Sequence, residues 1–271
     1  MLVNDTHPLQ AWPEKDALIP ALPDVPQRPT SPALPGAPQG QLSPTLPGAP
    51  QGQPSPTLPD TPQVLLRRPA AAMLRALLDS ISAEGRIVPV SGWRAHAEQE
   101  ALYAGSVRDN GLAFTQTYVA LPGCSEHESG LAIDVGEARD EIDFLRPAFP
   151  DAGICAAFRA AAPRYGFILR YPEGARHITH IGSEPWHFRY VGVPHAACIA
   201  QRGCTLEEYI GELGTYTPAN PLRLREDGRD YRVFRVPLSS DGAEFDVPAG
   251  CLGQTSADNC GGLIVTLGGA P

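Results

Sequence analysis

Two side chains with metal-binding chemistry, His127 and Asp134, stand seven residues apart. On a single α-helix, with a rise of 1.5 Å per residue, their Cα atoms would lie about 10.5 Å apart. Ligands of one zinc ion must place their donor atoms within about 2.2 Å of the metal, so a helix would separate these two residues too far. Gly130 lies between them and predicts a turn that brings two strands side by side, with both side chains able to reach one ion.

A third candidate ligand is His187. Two imidazoles and one carboxylate leave one position of tetrahedral zinc open, as catalytic zinc requires. Glu184 stands three residues before His187. A carboxylate that lies beside a metal without binding it can act as a general base on water. The pattern therefore suggests a hydrolytic zinc site, although spacing alone leaves the metal open.

Neighbouring residues allow other interpretations of the same block. His177 and His180 are three residues apart and form a rival pair of ligands. Cys124 could bind a metal, form a disulfide or remain a buried thiol. His96 and His195 have no partner pattern and are expected to be structural. Glu126 and Glu128 flank His127 and are expected to be solvated or to support a metal ligand.

The spacing of apolar residues and the positions of turn residues predict the secondary-structure elements that must position these residues. Apolar residues at three- and four-residue spacing predict a helix over 65–84, which Gly85 ends. Thr205 and Glu208 are typical of a capped helix N-terminus. The other predicted elements are a strand at 87–90, a helix at 95–104, loop and strand over 119–135, a mostly helical stretch at 144–165, and strands at 167–171 and 187–191.

A proline-rich repeat separates the N-terminus from this block. Sixteen of the thirty prolines lie between Pro8 and Pro62, and a 12-residue unit begins at Ser31 and recurs at Ser43 and Ser55. Proline fixes φ and lacks a backbone donor, so the repeat predicts an extended, polyproline-like spacer. A ligand for a domain that reads proline motifs is the alternative.

Composition excludes some classes of protein. The formal net charge of -9 argues against a nucleic-acid binder, which needs a basic face. No apolar run is long enough to cross a bilayer, and the N-terminus has no signal-peptide pattern. Six cysteines permit three disulfides, and Cys251 and Cys260 are close enough in sequence to staple a hairpin. The cysteine content favours an oxidising compartment.

Four motifs occur in order between residues 91 and 192: SGWR at 91–94, PGCSEHESGLAID at 122–134, YGFILRYP at 165–172 and EPWHFRYVG at 184–192. This block resembles the VanY-type zinc D-alanyl-D-alanine carboxypeptidases of the M15 peptidase family. The resemblance covers about residues 65–210. Departures from the family pattern, such as Trp93 and Ala95 in place of tyrosine and serine, touch no expected metal ligand and bear on substrate preference.

The resemblance implies roles for particular residues. One zinc ion per chain would be held by His127, Asp134 and His187, with Glu184 as the catalytic base. Substrate-binding roles are implied for Arg94, Gln99, Ser125, Tyr171 and Trp186.

The implied activity is removal of the C-terminal D-alanine from peptidoglycan stem peptides or precursors that end in D-Ala-D-Ala. A D-Ala-D-Ala dipeptidase, an L,D-carboxypeptidase and a non-catalytic zinc-bearing wall-binding module remain alternatives. Such a role implies the cell envelope, periplasmic or extracellular, with the cytoplasm left open because the sequence shows no signal peptide. The sequence does not indicate an oligomeric state.

The resemblance also implies an α+β fold, with a small, mostly antiparallel sheet flanked by helices. Alternating residues at 231–236 and an apolar run at 263–267 predict a small β-rich C-terminal appendage. The predicted organisation is an N-terminal arm at 1–27, a proline-rich linker at 28–63, a catalytic domain at 64–216 and a C-terminal extension at 217–271.

Overall fold

The computed structural model describes residues 1–22, 63–239 and 242–269. The predicted proline-rich linker lies outside the described residues, apart from its last position. The helices are α1 (Arg68–Ser80), α2 (His96–Asn110), α3 (Leu112–Tyr118), α4 (Gly153–Ala161), α5 (Arg176–Thr179), α6 (Val193–Arg202) and α7 (Leu206–Leu213). The strands are β1 (Leu18–Pro20), β2 (Leu65–Arg67), β3 (Ile87–Ser91), β4 (Ala132–Glu137), β5 (Phe167–Leu169), β6 (His187–Tyr190), β7 (Leu222–Glu226), β8 (Arg229–Pro237), β9 (Cys251–Ala257) and β10 (Gly262–Gly269).

A four-stranded antiparallel sheet in the order β3-β4-β6-β5 forms the centre of the fold. In the pairing of β4 with β6, Asp134 stands opposite His187 and Ile133 opposite Phe188. Because successive side chains of a strand point to opposite faces, one face of this pair is apolar and the other carries ionisable groups. The strand register alone therefore brings two of the candidate ligands together, without any contribution from the loops.

The apolar face of this sheet packs against α1 and α4. Leu74 and Leu77 of α1 and Phe158 of α4 are fully buried in one core with Ile133 and Phe188. The three- and four-residue spacing that predicts a helix near 65–84 reflects this contact. The helix begins only at Arg68, because residues 65–67 form β2 and Pro69 lies in the first turn of the helix, and it ends at Ser80, before Gly85.

The N-terminal arm contacts several distant parts of the chain. β1 pairs antiparallel with β2, with Pro20 opposite Leu65. The Trp12 indole N–H donates to Glu128 at 3.0 Å. The backbone N–H of Leu2 donates to the carbonyl of Asp258, at 3.0 Å, next to the C-terminal sheet. The arm thus contacts both the turn that carries Glu128 and the C-terminal region.

A second antiparallel sheet, in the order β7-β8-β10-β9, forms the C-terminal region. Its buried residues Val233 and Ile264 share a core with Leu206 and Tyr209 of α7. Thr205 caps α7 and forms a reciprocal capping box with Glu208, as predicted. The predicted fold class is confirmed, including the β-rich C-terminal appendage, whereas the predicted domain boundaries remain predictions.

The predicted helical stretch at 144–165 is helical only in its second part. Residues 144–152 are not helical, and α4 begins only at Gly153, after Pro147 and Pro150, which cannot continue a helix.

Among the described helices, none combines the length and apolar character that a bilayer crossing requires.

None of the disulfides that the cysteine count permits is present, since all six cysteines are free thiols. Cys251 begins β9 opposite Gly269, whereas Cys260 lies in the turn before β10. At a rise of about 3.3 Å per residue, β9 separates the two cysteines by about 20 Å, and a disulfide requires Cα atoms within about 7 Å. The predicted staple is therefore wrong, and the cysteines give no support for an oxidising compartment.

His195, on α6, connects its helix to α7 and to the C-terminal sheet. One ring nitrogen lies 2.9 Å from the Tyr209 hydroxyl and the other 2.8 Å from that of Thr266. Burial lowers the pKa of His195 to about 4. The folded protein therefore keeps this ring neutral in mildly acidic solution, in the structural role that was expected of it.

We predict that acid weakens the fold through His195. Between pH 6.5 and 4 the unfolded chain binds a proton here that the folded state excludes, so the free energy of unfolding falls as the pH drops, by at most about 1.4 kcal/mol per unit. His195→Gln should show a shallower fall, measured by urea unfolding at several pH values. An unchanged slope in this variant would contradict the role assigned to the ring.

Candidate active site

Three donor side chains converge at one buried point. Ligand atoms of His127, Asp134 and His187 all lie within 4.8 Å of one another. Nε2 of His127 is 3.2 Å from Oδ2 of Asp134, and Nδ1 of His187 is 2.9 Å from Oδ1 of Asp134. The structure thus brings together all three residues whose spacing suggested a metal site.

His127 reaches this point from a 3-10 turn at Glu126–Ser129. Gly130 closes the turn with φ of 68°, and a Cβ at this position would lie only 2.9 Å from a side-chain carbon of Leu18. Glycine is therefore required by both conformation and space. The predicted turn at Gly130 is present, but only its Asp134 side is a strand, so the expectation of two strands flanking it was wrong.

The donor set fits a zinc ion. Nδ1 of His127 lies 2.7 Å from the Gly92 carbonyl and donates to it, which leaves the lone pair of Nε2 directed at Asp134. His187 presents Nδ1 on the opposite side of the same carboxylate. Two imidazole nitrogens and a carboxylate are a ligand set of catalytic zinc sites.

The site binds a proton strongly when no metal is present. Burial alone would lower the pKa of His187, but its contacts with Asp134 and Glu126 outweigh burial and raise it to about 9. Burial would raise the pKa of Asp134, but His127 and His187 hold it well below its usual range. A metal ion bound here would replace this proton.

Glu184 lies beside the three donors without joining them. One of its carboxylate oxygens is 3.7 Å from Nδ1 of His187, and its backbone N–H donates to the Tyr171 carbonyl at 3.0 Å. Burial raises the pKa of Glu184 to about 8, with the charge of Asp134 adding to the rise. A carboxyl group that gains and loses protons near neutral pH is suited to general acid–base work.

Arg94 is held in a fixed orientation at the edge of the site. Its Nη1 donates to the Gln99 side-chain oxygen at 2.7 Å, and its Nη2 donates to the Ser91 hydroxyl at 2.8 Å. The Gln99 amide in turn donates to the Ala120 carbonyl at 2.7 Å. Since a guanidinium has five N–H donors, others remain available for a carboxylate.

One groove joins these groups. The Tyr171 ring packs against His187, with ring centroids 4.9 Å apart, and Trp186 extends from the groove into the core beneath the sheet. The groove is lined by all the residues predicted for the site: Arg94, Gln99, Ser125, His127, Asp134, Tyr171, Glu184, Trp186 and His187.

The rival ligands lie elsewhere. His177 and His180 are exposed, and His180 pairs with Asp5 at 2.7 Å. No second cluster of metal-binding side chains occurs in the part of the chain that the structure describes. Cys124 is a buried free thiol.

Glu126 and Glu128 are buried, which excludes the solvated role and leaves the other expected role, support of a metal ligand. Glu128 accepts from Trp12 and from the Gly123 backbone and pairs with His96. Glu126 lies against two fully buried arginines that sequence reasoning passed over, Arg170 and Arg189. An arginine within an apolar strand was the available signal, because a buried guanidinium requires a carboxylate partner.

We predict one zinc ion per chain at this site. His187→Ala removes a ligand and should reduce zinc to below stoichiometric levels, whereas His177→Ala should leave it unchanged. Metal analysis of the purified variants after dialysis is the measurement. Equal zinc in the two variants would place the metal elsewhere.

Comparison with known proteins identifies the family. The family model VanY, described as D-alanyl-D-alanine carboxypeptidase, matches residues 63–193. The bifunctional D-Ala-D-Ala dipeptidase and D-Ala-D-Ala carboxypeptidase VanXYC of Enterococcus gallinarum is 46% identical over 147 residues, which are 54% of this chain and 77% of that protein. A D-alanyl-D-alanine carboxypeptidase of Enterococcus faecium is 35% identical over 178 residues, 65% of this chain and 52% of that protein.

The structural likeness extends over nearly the whole chain. The crystal structure of the vancomycin resistance D,D-dipeptidase VanXYg, in complex with a D-Ala-D-Ala phosphinate analog, superposes with a TM-score of 0.82 and 37% sequence identity. The match covers 99% of this chain and 92% of that one. The chain therefore belongs to the VanY-type D-alanyl-D-alanine carboxypeptidase family of zinc peptidases.

Proposed function

We propose that this enzyme removes the C-terminal D-alanine from peptidoglycan stem peptides or precursors that end in D-Ala-D-Ala, at the cell envelope. The observation that carries the proposal is the convergence of His127, Asp134 and His187 with an unligated carboxylate, Glu184, beside them. A purely structural zinc site has no need of that carboxylate. Family membership adds the substrate class.

The three donors would hold a single zinc ion. When bound, zinc would supply a Lewis acid that polarises the scissile carbonyl and lowers the pKa of a water molecule. The position left open by three protein ligands is the one at which this chemistry takes place in catalytic sites.

Glu184 moves the protons of the reaction. Its carboxylate accepts a proton from the attacking water and delivers it to the nitrogen of the departing D-alanine. Burial and the charge of Asp134 outweigh the opposing effects of His187 and Arg94, and they raise the proton affinity of Glu184 into the range that this cycle requires. The positive charge of a bound metal favours the ionised form in which the cycle begins.

Arg94 recognises the C-terminus of the substrate peptide. Held by Gln99 and Ser91, its guanidinium would pair with the free C-terminal carboxylate of the substrate. Ser125, Tyr171 and Trp186 would line the path of the peptide. Such a pair confines cleavage to the last peptide bond.

A dipeptidase is the second candidate, and the comparisons favour it for a specific reason. The likeness to the D,D-dipeptidase VanXYg covers nearly the whole chain, and the relative from Enterococcus gallinarum is named as bifunctional. Rates on free D-Ala-D-Ala, a tetrapeptide and a pentapeptide separate the activities. Pentapeptide preference supports the proposal, dipeptide preference the second candidate, and tetrapeptide preference an L,D-carboxypeptidase.

We predict that Glu184→Gln retains zinc but lowers kcat by about 10²- to 10⁴-fold, because the amide cannot accept the proton. D-Alanine release from a pentapeptide and metal analysis measure the two effects. Glu173→Gln, an exposed acid, is the control and should behave as the parent enzyme. Near-normal turnover in Glu184→Gln would remove this residue from the role of base.

We predict a penalty for a substrate whose C-terminus is amidated. Loss of one partner of a buried charge pair costs about 2–5 kcal/mol, so kcat/KM should fall by roughly 30-fold or more relative to the free acid. Arg94→Gln should be slow on both substrates and discriminate little between them. Equal rates of the parent enzyme on acid and amide would exclude the pairing.

A further inference from the structure

Glu126 directly precedes the candidate ligand His127 in the chain, and its side chain lies next to the candidate ligand His187. Its side chain is completely buried, although it carries a carboxylate. One oxygen, Oε1, is 2.8 Å from Nε of Arg170 and 2.9 Å from Nη1 of Arg189. Each guanidinium lies at ion-pair distance from the carboxylate, so the buried negative charge of Glu126 is compensated. The carboxylate is therefore ionised and fixed in place.

The other oxygen faces a zinc-ligand candidate. Oε2 of Glu126 and Nε2 of His187 are both buried, neither has a hydrogen-bond partner, and they lie 3.5 Å apart. A buried donor or acceptor that lacks a partner costs about 1–3 kcal/mol. An N–H of His187 that donates to Glu126 would satisfy both atoms after a small approach.

The identity of the protonated nitrogen decides whether His187 can bind a metal. With the proton on Nδ1, the ring donates to Asp134 at 2.9 Å and has no lone pair for an ion at that position. With the proton on Nε2, Nδ1 offers its lone pair at the point where His127 and Asp134 converge. Metal-binding histidines almost always donate their other ring N–H to a carboxylate, carbonyl or water.

We propose that Glu126 is a positioning residue, which accepts the Nε2–H of His187 and thereby fixes the ring as an Nδ1 ligand. The inference rests on the zinc site proposed above. It assigns to the glutamate of the turn a task that is separate from that of Glu184, which lies on the Nδ1 side of the same ring.

The group that holds Glu126 extends beyond the site. Arg170 also pairs with Glu207 of α7, whose carboxylate accepts from the Asn4 side chain at 3.3 Å. The N-terminal arm and α7 thus support the position of Glu126. Two carboxylates, Glu126 and Glu207, balance the two arginines, so a loss of one acid leaves a positive charge in excess.

The test compares Glu126→Gln with Glu128→Gln. The two residues lie in the same 3-10 turn and are equally buried, but Glu128 contacts no candidate ligand. Zinc affinity of the full-length protein, from competition with a chelator, should fall about 10- to 100-fold in Glu126→Gln and stay within about twofold in Glu128→Gln. Circular dichroism checks that each variant is folded.

A second variant separates positioning from charge balance. Glu126→Gln with Arg189→Gln removes one charge of each sign, so it should fold even if the single variant does not. Zinc affinity should remain weak in this double variant. A proton NMR spectrum of the histidine rings in the zinc-loaded double variant is a further test. The resonance of the Nε2 proton of His187 should lie upfield of its position in the parent protein, because a carboxylate acceptor has been lost.

The outcomes are distinguishable. If His187→Ala keeps the zinc affinity of the parent protein, the proposed metal site is wrong. If His187→Ala loses zinc but the folded Glu126→Gln binds it within twofold of the parent, the positioning role is overturned. Recovery of parental affinity in the double variant would also overturn it, because Glu126 would then act only as a counter-ion.

Discussion

The site depends on the register between β4 and β6. Antiparallel pairing sets Asp134 against His187 on one face and Ile133 against Phe188 on the other. Because strand side chains alternate, a slip of one residue would exchange the two faces, moving ionisable groups into the apolar core and apolar groups into the groove. The packing of the apolar face on α1 and α4 therefore stabilises the metal-binding geometry as well as the fold. The backbone hydrogen bonds between β4 and β6 therefore determine both the position of the candidate metal ligands and the packing of the core.

Burial of charge is the cost of this arrangement. His127, Asp134 and Glu184 all lie with less than a tenth of their surface exposed, in an interior where an unpaired charge is unfavourable. The structure offsets the cost by pairing: Asp134 with two imidazoles, and Glu126 with two guanidinium groups. Such pairs do little for net stability, but they restrict each side chain to one orientation. Orientation is what a site that binds a metal and moves a proton requires.

The sequence predicted well what short-range patterns determine. Capping at Thr205, the helix around Leu74 and the alternation in β8 follow from local rules, and the ordered motifs pointed to His127, Asp134 and His187. Prediction from the sequence failed where residues that are far apart in the chain determine the local structure. The burial of Glu126 depends on Arg170, 44 positions away, and no spacing rule connects them. The stretch at 144–152 is apolar enough for a helix, but its prolines prevent one. Cys251 and Cys260 are neighbours in sequence, but an extended strand separates them.

The pairing of β1 with β2 has a consequence for how this gene product can vary. Pro20 and Leu65 are neighbours across a two-stranded ladder, so the two attachment points of the segment between them lie close together. In general, the entropic cost of joining two fixed points by a chain segment grows only with the logarithm of the segment's length, about 0.6 kcal/mol for each doubling. Gain or loss of one 12-residue unit would hardly disturb the catalytic body. The number of repeat units can thus change while the pairing of β1 with β2 stays the same.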